Sequence, residues 1–227
     1  MKRFLSGAGL LCTTTILFSQ SIVQPNYGLK SHETLEINKI EMTGESTLIY
    51  LTVENRIKSG YFCADKNIFI VYPDGKKSKL ISSSGIPVCP EKYFFRSAGE
   101  KLYFTLTFPA LKSGTGWIDL VEECSENCFY FYGVTLDTGL NKLLDDIFSR
   151  ASKGKPSDNV VLFKTVIDSI GSLDRGIEGL LYINIVNAAL EDADNVNASV
   201  WYRRLASSNA PRAGMYIKFL NDKGIKF

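Results

Sequence analysis

The chain is poor in the residues that carry most enzymatic chemistry. It holds one histidine, His32, among 227 residues, which excludes catalytic schemes and metal sites that need several imidazoles. His-Glu-x-x-His, the Gly-x-Ser-x-Gly elbow and the glycine-rich phosphate loop are missing, and no cofactor is expected. Long apolar runs are missing as well: past residue 21 nothing approaches the roughly 20 consecutive apolar residues of a membrane span. There is also no surplus of charge. Lys2 and Arg3 are the only charged residues in the first 21, and without them the 26 basic residues drop to match the 24 acidic ones. A neutral chain whose densest basic run, Lys76-Lys77-Ser78-Lys79, flanks a turn lacks the basic face that nucleic acid or an anionic membrane demands.

What is present begins with an export signal. Lys2 and Arg3 precede an apolar stretch that gives way to small polar residues after Phe18, a pattern that predicts cleavage after Ser19 or Ser21. Cys12 follows Leu11, not the small residue that lipid attachment prefers. The mature chain is therefore expected in the periplasm, at the cell surface or in the medium, with four cysteines: Cys63, Cys89, Cys124 and Cys128. An even number in an exported chain favours disulfides. Their spacing offers neither two close pairs nor a Cys/His set, so metal is not expected. Ser125-Glu126-Asn127 reads as a three-residue hairpin loop that places Cys124 opposite Cys128, which leaves Cys63 for Cys89.

Hydrophobic spacing divides the chain near residue 137. Before it, short runs alternate with period two. The cleanest is Leu102, Phe104, Leu106 and Phe108 between polar neighbours, and Asp74-Gly75 marks a hairpin between the runs at residues 68–72 and 78–82. The apolar parity switches between Ile37 and Ile40, which predicts a bulge. Residues 21–32 show no period and read as an ordered but irregular lead-in or a frayed terminus. Seven or so strands with no helix between them predict an antiparallel sandwich. After residue 137 the spacing is helical. Leu140, Leu143, Leu144, Ile147 and Phe148 form the first stripe, Ser157 or Asp158 suits the cap of a second helix, and Pro211 suits the first turn of the last. The expected fold class is thus α+β: a signal at residues 1–21, a β-sandwich at 22–137 and a bundle of four to five helices at 138–227.

Chemistry-bearing clusters are few. Asp119, Glu122, Glu123 and Glu126 crowd one hairpin, and paired carboxylates near Asp119 and Glu122 admit a carbohydrate hydrolase. Asp192-Ala193-Asp194-Asn195-Val196-Asn197 opens like a calcium loop, but Val196 takes a ligand position and Asn197 replaces the glycine, so a helix cap fits better. Tyr93, Phe94 and Phe95 are the candidate binding aromatics. The ladder from Phe129 to Tyr132, by contrast, suits a strand buried on both faces, one against the sandwich core and one against docked helices.

The strands Phe104-Thr105-Leu106-Thr107-Phe108-Pro109-Ala110-Leu111, Trp117-Ile118-Asp119-Leu120-Val121-Glu122 and Phe131-Tyr132-Gly133-Val134 carry a resemblance. Over residues 34–137 the chain resembles uncharacterised exported Bacteroidetes proteins with an immunoglobulin-like sandwich. It departs from them with Trp117-Ile118 where they have Phe, with the stapled loop and with the helical tail. The resemblance implies a fold and a compartment and brings no catalytic residues. The expected function is an exported, non-catalytic binding or assembly module of the cell envelope, its partner another envelope protein or a glycan. The alternative is the hydrolase.

Overall fold

The computed structural model describes residues 20–170 and 174–227; the expected export signal and Cys12 lie outside the described residues. In chain order the strands are β1 (Gln20–Val23), β2 (Leu29–Lys30), β3 (Leu35–Met42), β4 (Ser46–Glu54), β5 (Tyr61–Phe62) and β6 (Ile68–Val71). They continue with β7 (Lys77–Lys79), β8 (Ser82–Ser84), β9 (Tyr93–Phe94), β10 (Lys101–Pro109), β11 (Trp117–Glu122) and β12 (Tyr130–Thr135). The helices are α1 (Thr138–Ala151), α2 (Pro156–Ile170), α3 (Glu178–Glu191), α4 (Asn195–Ser207) and α5 (Ala213–Asp222). The chain is thus α+β, with antiparallel sheets first and the helices at the C-terminal end.

One sheet runs β1-β3-β4-β10-β8 and the other β2-β12-β11-β6-β7, with β5 and β9 forming a separate two-stranded ribbon. The alternation in β10 sends Leu102, Phe104, Leu106 and Phe108 inward, where they meet Ile37, Ile49 and Leu51 of the first sheet and Ile68, Ile70, Ile118, Leu120 and Phe131 of the second in one buried cluster. The expected bulge is present: the register of β3 on β4 shifts between Ile37 and Lys39, so Asn38 is the extra residue.

The lead-in corrects its reading as irregular or frayed. β1 pairs with β3 and β2 with β12, so this segment supplies an edge strand to each sheet. Between them Gln24 takes φ 47° and the Gly28 N–H donates to the Tyr132 carbonyl. Backbone hydrogen bonds place the segment, and they leave no side-chain period to read.

The helices form a second core around α3, which packs on α2, α4 and α5. Asp137 caps α1 by accepting the Leu140 N–H at 3.0 Å, so the second sheet passes into the helices without a linker. Two helix starts differ from expectation. Pro156 itself opens α2, and Pro211 precedes α5 by two residues because Arg212 turns into the left-handed region at φ 60°. Asp194 caps α4 through the Asn197 N–H, as the cap reading expected.

The two cores meet across β11 and β12. Phe129 and Phe131 enter the sandwich while Tyr130 and Tyr132, stacked at 4.3 Å, face the helices. Trp117 donates its indole N–H to the Asp174 carbonyl at 3.0 Å. Gly133, at φ 65°, lies so close to Gly176 that an added Cβ would sit 2.0 Å from its carbonyl oxygen. The Tyr216 ring is buried against Gly28 and Gly179 in the same way.

Candidate functional site

The residues that could meet a ligand gather where the ends of both sheets open into a cleft of about 620 Å³. Three loops build it: the stretch from β4 through β5, the approach to β9, and the β11–β12 hairpin. Two disulfides hold them, Cys63–Cys89 and Cys124–Cys128, in the expected pairing. The first ties β5 to the segment before β9 and so fixes the ribbon that forms one lip.

On that lip Tyr61 and Phe94 stand directly across the ribbon from each other, with ring centroids 6.1 Å apart. They are 52% and 68% exposed, and Ile57 nearby is 61% exposed. The Lys92 ammonium lies 3.7 Å from the Tyr61 ring centroid, a cation–π contact. The three candidate aromatics therefore part company. Phe94 is exposed on the ribbon beside Tyr61 without lining the cleft itself, Phe95 lines the cleft although it is buried in the sandwich core, and Tyr93 is half-buried, donating its hydroxyl to Glu100 at 2.6 Å and packing edge-on against Phe95. Tyr61, not among the candidate aromatics of the sequence, completes the exposed pair. Its sequence signal is the Tyr61-Phe62 dipeptide directly before the cross-linked Cys63, which holds the ribbon in place.

The cleft floor holds Glu122. Its two oxygens accept the Asp65 N–H at 2.7 Å and the Phe129 N–H at 3.0 Å, so the carboxylate bridges the hairpin to the loop after Cys63. Burial pushes its pKa up and outweighs these two bonds. His32 lines the same cleft, its Nδ1 2.7 Å from the Ser31 hydroxyl, and burial pushes its pKa down, which keeps the ring neutral at pH 7. No group of three or more His, Cys, Asp or Glu among the described residues is placed to hold a metal ion.

No protein-family model, curated protein or solved structure matches the chain.

Asp119 lies elsewhere. Residues three apart on a strand point to opposite faces, and Asp119 faces the helices while Glu122 closes the end of the sandwich. The Asp119 carboxylate accepts the Gly133 N–H at 2.8 Å on Oδ1, and Arg212 Nε and Nη2 at 2.9 and 2.6 Å on Oδ2. Burial pushes Asp119 upward, against the pull of the Gly133 N–H and the guanidinium. Its side chain is 1% exposed and that of Arg212 41%. This carboxylate joins the two cores, and it does not share the cleft with Glu122.

Proposed function

We propose that the chain is an exported, non-catalytic binding module of the cell envelope, and that its contact surface is the aromatic lip of the stapled cleft. The observation that carries this reading is the Tyr61–Phe94 pair. Two large aromatics and Ile57 stand exposed on a two-stranded ribbon held by a disulfide. Clustered exposed aromatics on a fixed ribbon suit a contact surface, and rigid aromatics lose little conformational entropy on binding.

Supporting the compartment are the two disulfides, which suit an oxidising environment. Supporting an immunoglobulin-like sandwich, and kinship with the exported Bacteroidetes proteins, are two antiparallel sheets that share one core with β11 and β12 side by side. A protein partner fits the apolar lip and its Lys92 rim; a glycan stacked on Tyr61 and Phe94 is the other occupant of the same surface.

The test compares wild type with Tyr61→Ala/Phe94→Ala as bait for envelope extract and for a glycan array. Loss of a captured species in the double variant, with the melting temperature unchanged, supports the lip. Equal capture by both proteins, or hydrolysis of any glycan, overturns it.

A further inference from the structure

The face of the ribbon that carries Tyr61 and Phe94 also carries charge of one sign. From Lys92 to Arg96 the exposure alternates: Lys92, Phe94 and Arg96 are exposed, Tyr93 is half-buried and Phe95 is buried. Residues two apart on an extended chain share a face, so Lys92 and Arg96 flank Phe94 on the side where Tyr61 stands across from it. The Phe95 N–H donates to the Gly60 carbonyl at 2.9 Å, which carries the pairing one residue past β9 and keeps Arg96 in line. At about 3.3 Å per residue the two cations lie roughly 13 Å apart along the strand, with the aromatic pair between them.

Neither cation makes an ion pair among the described residues. The acids nearby are engaged in other ways: Glu54 pairs with Lys101, Glu33 pairs with Arg56, and Glu100 accepts the backbone N–H of Arg96 and the hydroxyl of Tyr93, which points to the other side of the strand. Glu91 sits in the turn before the extended run, its N–H on the Val88 carbonyl. The rings add a shape. Their planes are tilted by 55°, so they form no single flat platform for a sugar ring, and the Lys92 ammonium lies over Tyr61. Two tilted rings suit one apolar side chain set between them, with Ile57 exposed nearby.

We infer that the lip takes an extended acidic segment of a partner polypeptide, with one apolar side chain set between Tyr61 and Phe94 and carboxylates two residues before and after it meeting Lys92 and Arg96. An extended chain repeats its faces every second residue, so the order acid, any, apolar, any, acid matches the cation, any, aromatic, any, cation order of the ribbon. Extended peptides are read through alternate side chains in this way. The inference rests on the lip being the contact surface and adds the chemistry of what it contacts.

The experiment titrates isotope-labelled mature protein with three blocked pentapeptides, Glu-Thr-Leu-Thr-Glu, Gln-Thr-Leu-Thr-Gln and Lys-Thr-Leu-Thr-Lys, and follows the amide resonances of residues 57–62 and 92–96. The acidic peptide should shift these resonances at millimolar concentration and bind roughly tenfold more tightly than the glutamine peptide, about threefold for each exposed ion pair. Lys92→Glu/Arg96→Glu, with its melting temperature unchanged, should reverse the order and prefer the lysine peptide. Equal binding of the three peptides, no shift with the acidic one, or a charge-reversed variant that still prefers it overturns the proposal. So does hyaluronate that shifts the same resonances where the acidic peptide does not, which makes the surface a glycan site. Two results separate this proposal from the reading it rests on. Capture from envelope extract that is lost in Tyr61→Ala/Phe94→Ala and kept in the charge-reversed variant overturns the acidic segment and leaves the lip, whereas an acidic peptide that binds the aromatic double variant as tightly as wild type overturns both.

Discussion

Substituting four glycines by alanine separates two costs that normally come together. At Gly133 the backbone holds φ 65° and an added Cβ would lie 2.0 Å from the Gly176 carbonyl oxygen, so Gly133→Ala meets both left-handed strain and a backbone clash. Gly75, at φ 78° with nothing within 4 Å, isolates the strain, which is about 1 kcal/mol. Gly179 isolates the clash, its Cβ falling 2.2 Å from the Tyr216 ring inside α3. Gly214 in α5 meets nothing within 4 Å and has neither cost, so Gly214→Ala should stabilise by about 0.5 kcal/mol through helix propensity. Overpacking adds about 1 to 3 kcal/mol, which puts Gly133→Ala near 3 kcal/mol in total. For a chain of this size that lowers the melting temperature by about 6 to 12 °C. Urea unfolding followed by tryptophan fluorescence suits the measurement, since Trp117 lies at the junction of the cores and Trp201 within the helices. If Gly133→Ala costs no more than Gly75→Ala, the close approach of β12 to Gly176 is not a constraint and the described junction is wrong.

Three further outcomes follow from the same geometry. Arg212→Ala strands the buried Asp119 carboxylate and should cost about 3 kcal/mol, the low end for a broken buried pair because the guanidinium is partly exposed; Arg212→Gly, which relaxes the left-handed backbone, should cost about 1 kcal/mol less, and equal losses in denaturant titrations would refute the strain at Arg212. The Tyr216 hydroxyl is fully buried and finds no hydrogen-bond partner among the described residues, so Tyr216→Phe should be neutral or stabilise by about 1 kcal/mol; a loss above that in thermal melts would reveal a hidden partner. Glu122 has its folded pKa raised above the unfolded value, so the native state binds the extra proton, and its contribution is greatest below about pH 4 and falls as pH rises through the raised value. Stability measured against Glu122→Gln should therefore decline from pH 4 toward neutrality and then level off; a rise over that span contradicts the buried carboxylate.

Local patterns were legible in the sequence and distant partnerships were not. The β10 alternation, the β3 bulge, the helical stripes and the Asp194 cap each depend on neighbours within a few residues, so spacing revealed them. The Cys124–Cys128 bridge was legible for the same reason, and Cys63–Cys89 followed from it. β1, β2, β5, β8 and β9 are two to four residues long, too short to show a period. Asp119 and Glu122 looked like one acidic cluster, although their odd separation on a strand already placed them on opposite faces. Arg212 lies 93 residues from Asp119, and nothing local to either residue announces the pair. Of the site, the cysteines and Phe94 were visible in advance. Tyr61 and the role of Glu122 depended on how three loops converge.

The reach of Arg212 back to Asp119 bears on how this chain can be cut or recombined. A division at residue 137 looks natural in sequence, yet a β half released there would carry an ionisable group built for a partner it no longer has, beside bare Trp117, Tyr130 and Tyr132. The helices are thus a lid on the second sheet as much as a domain beside it, and shuffling the sandwich into another protein would require replacing the Asp119 face along with the tail.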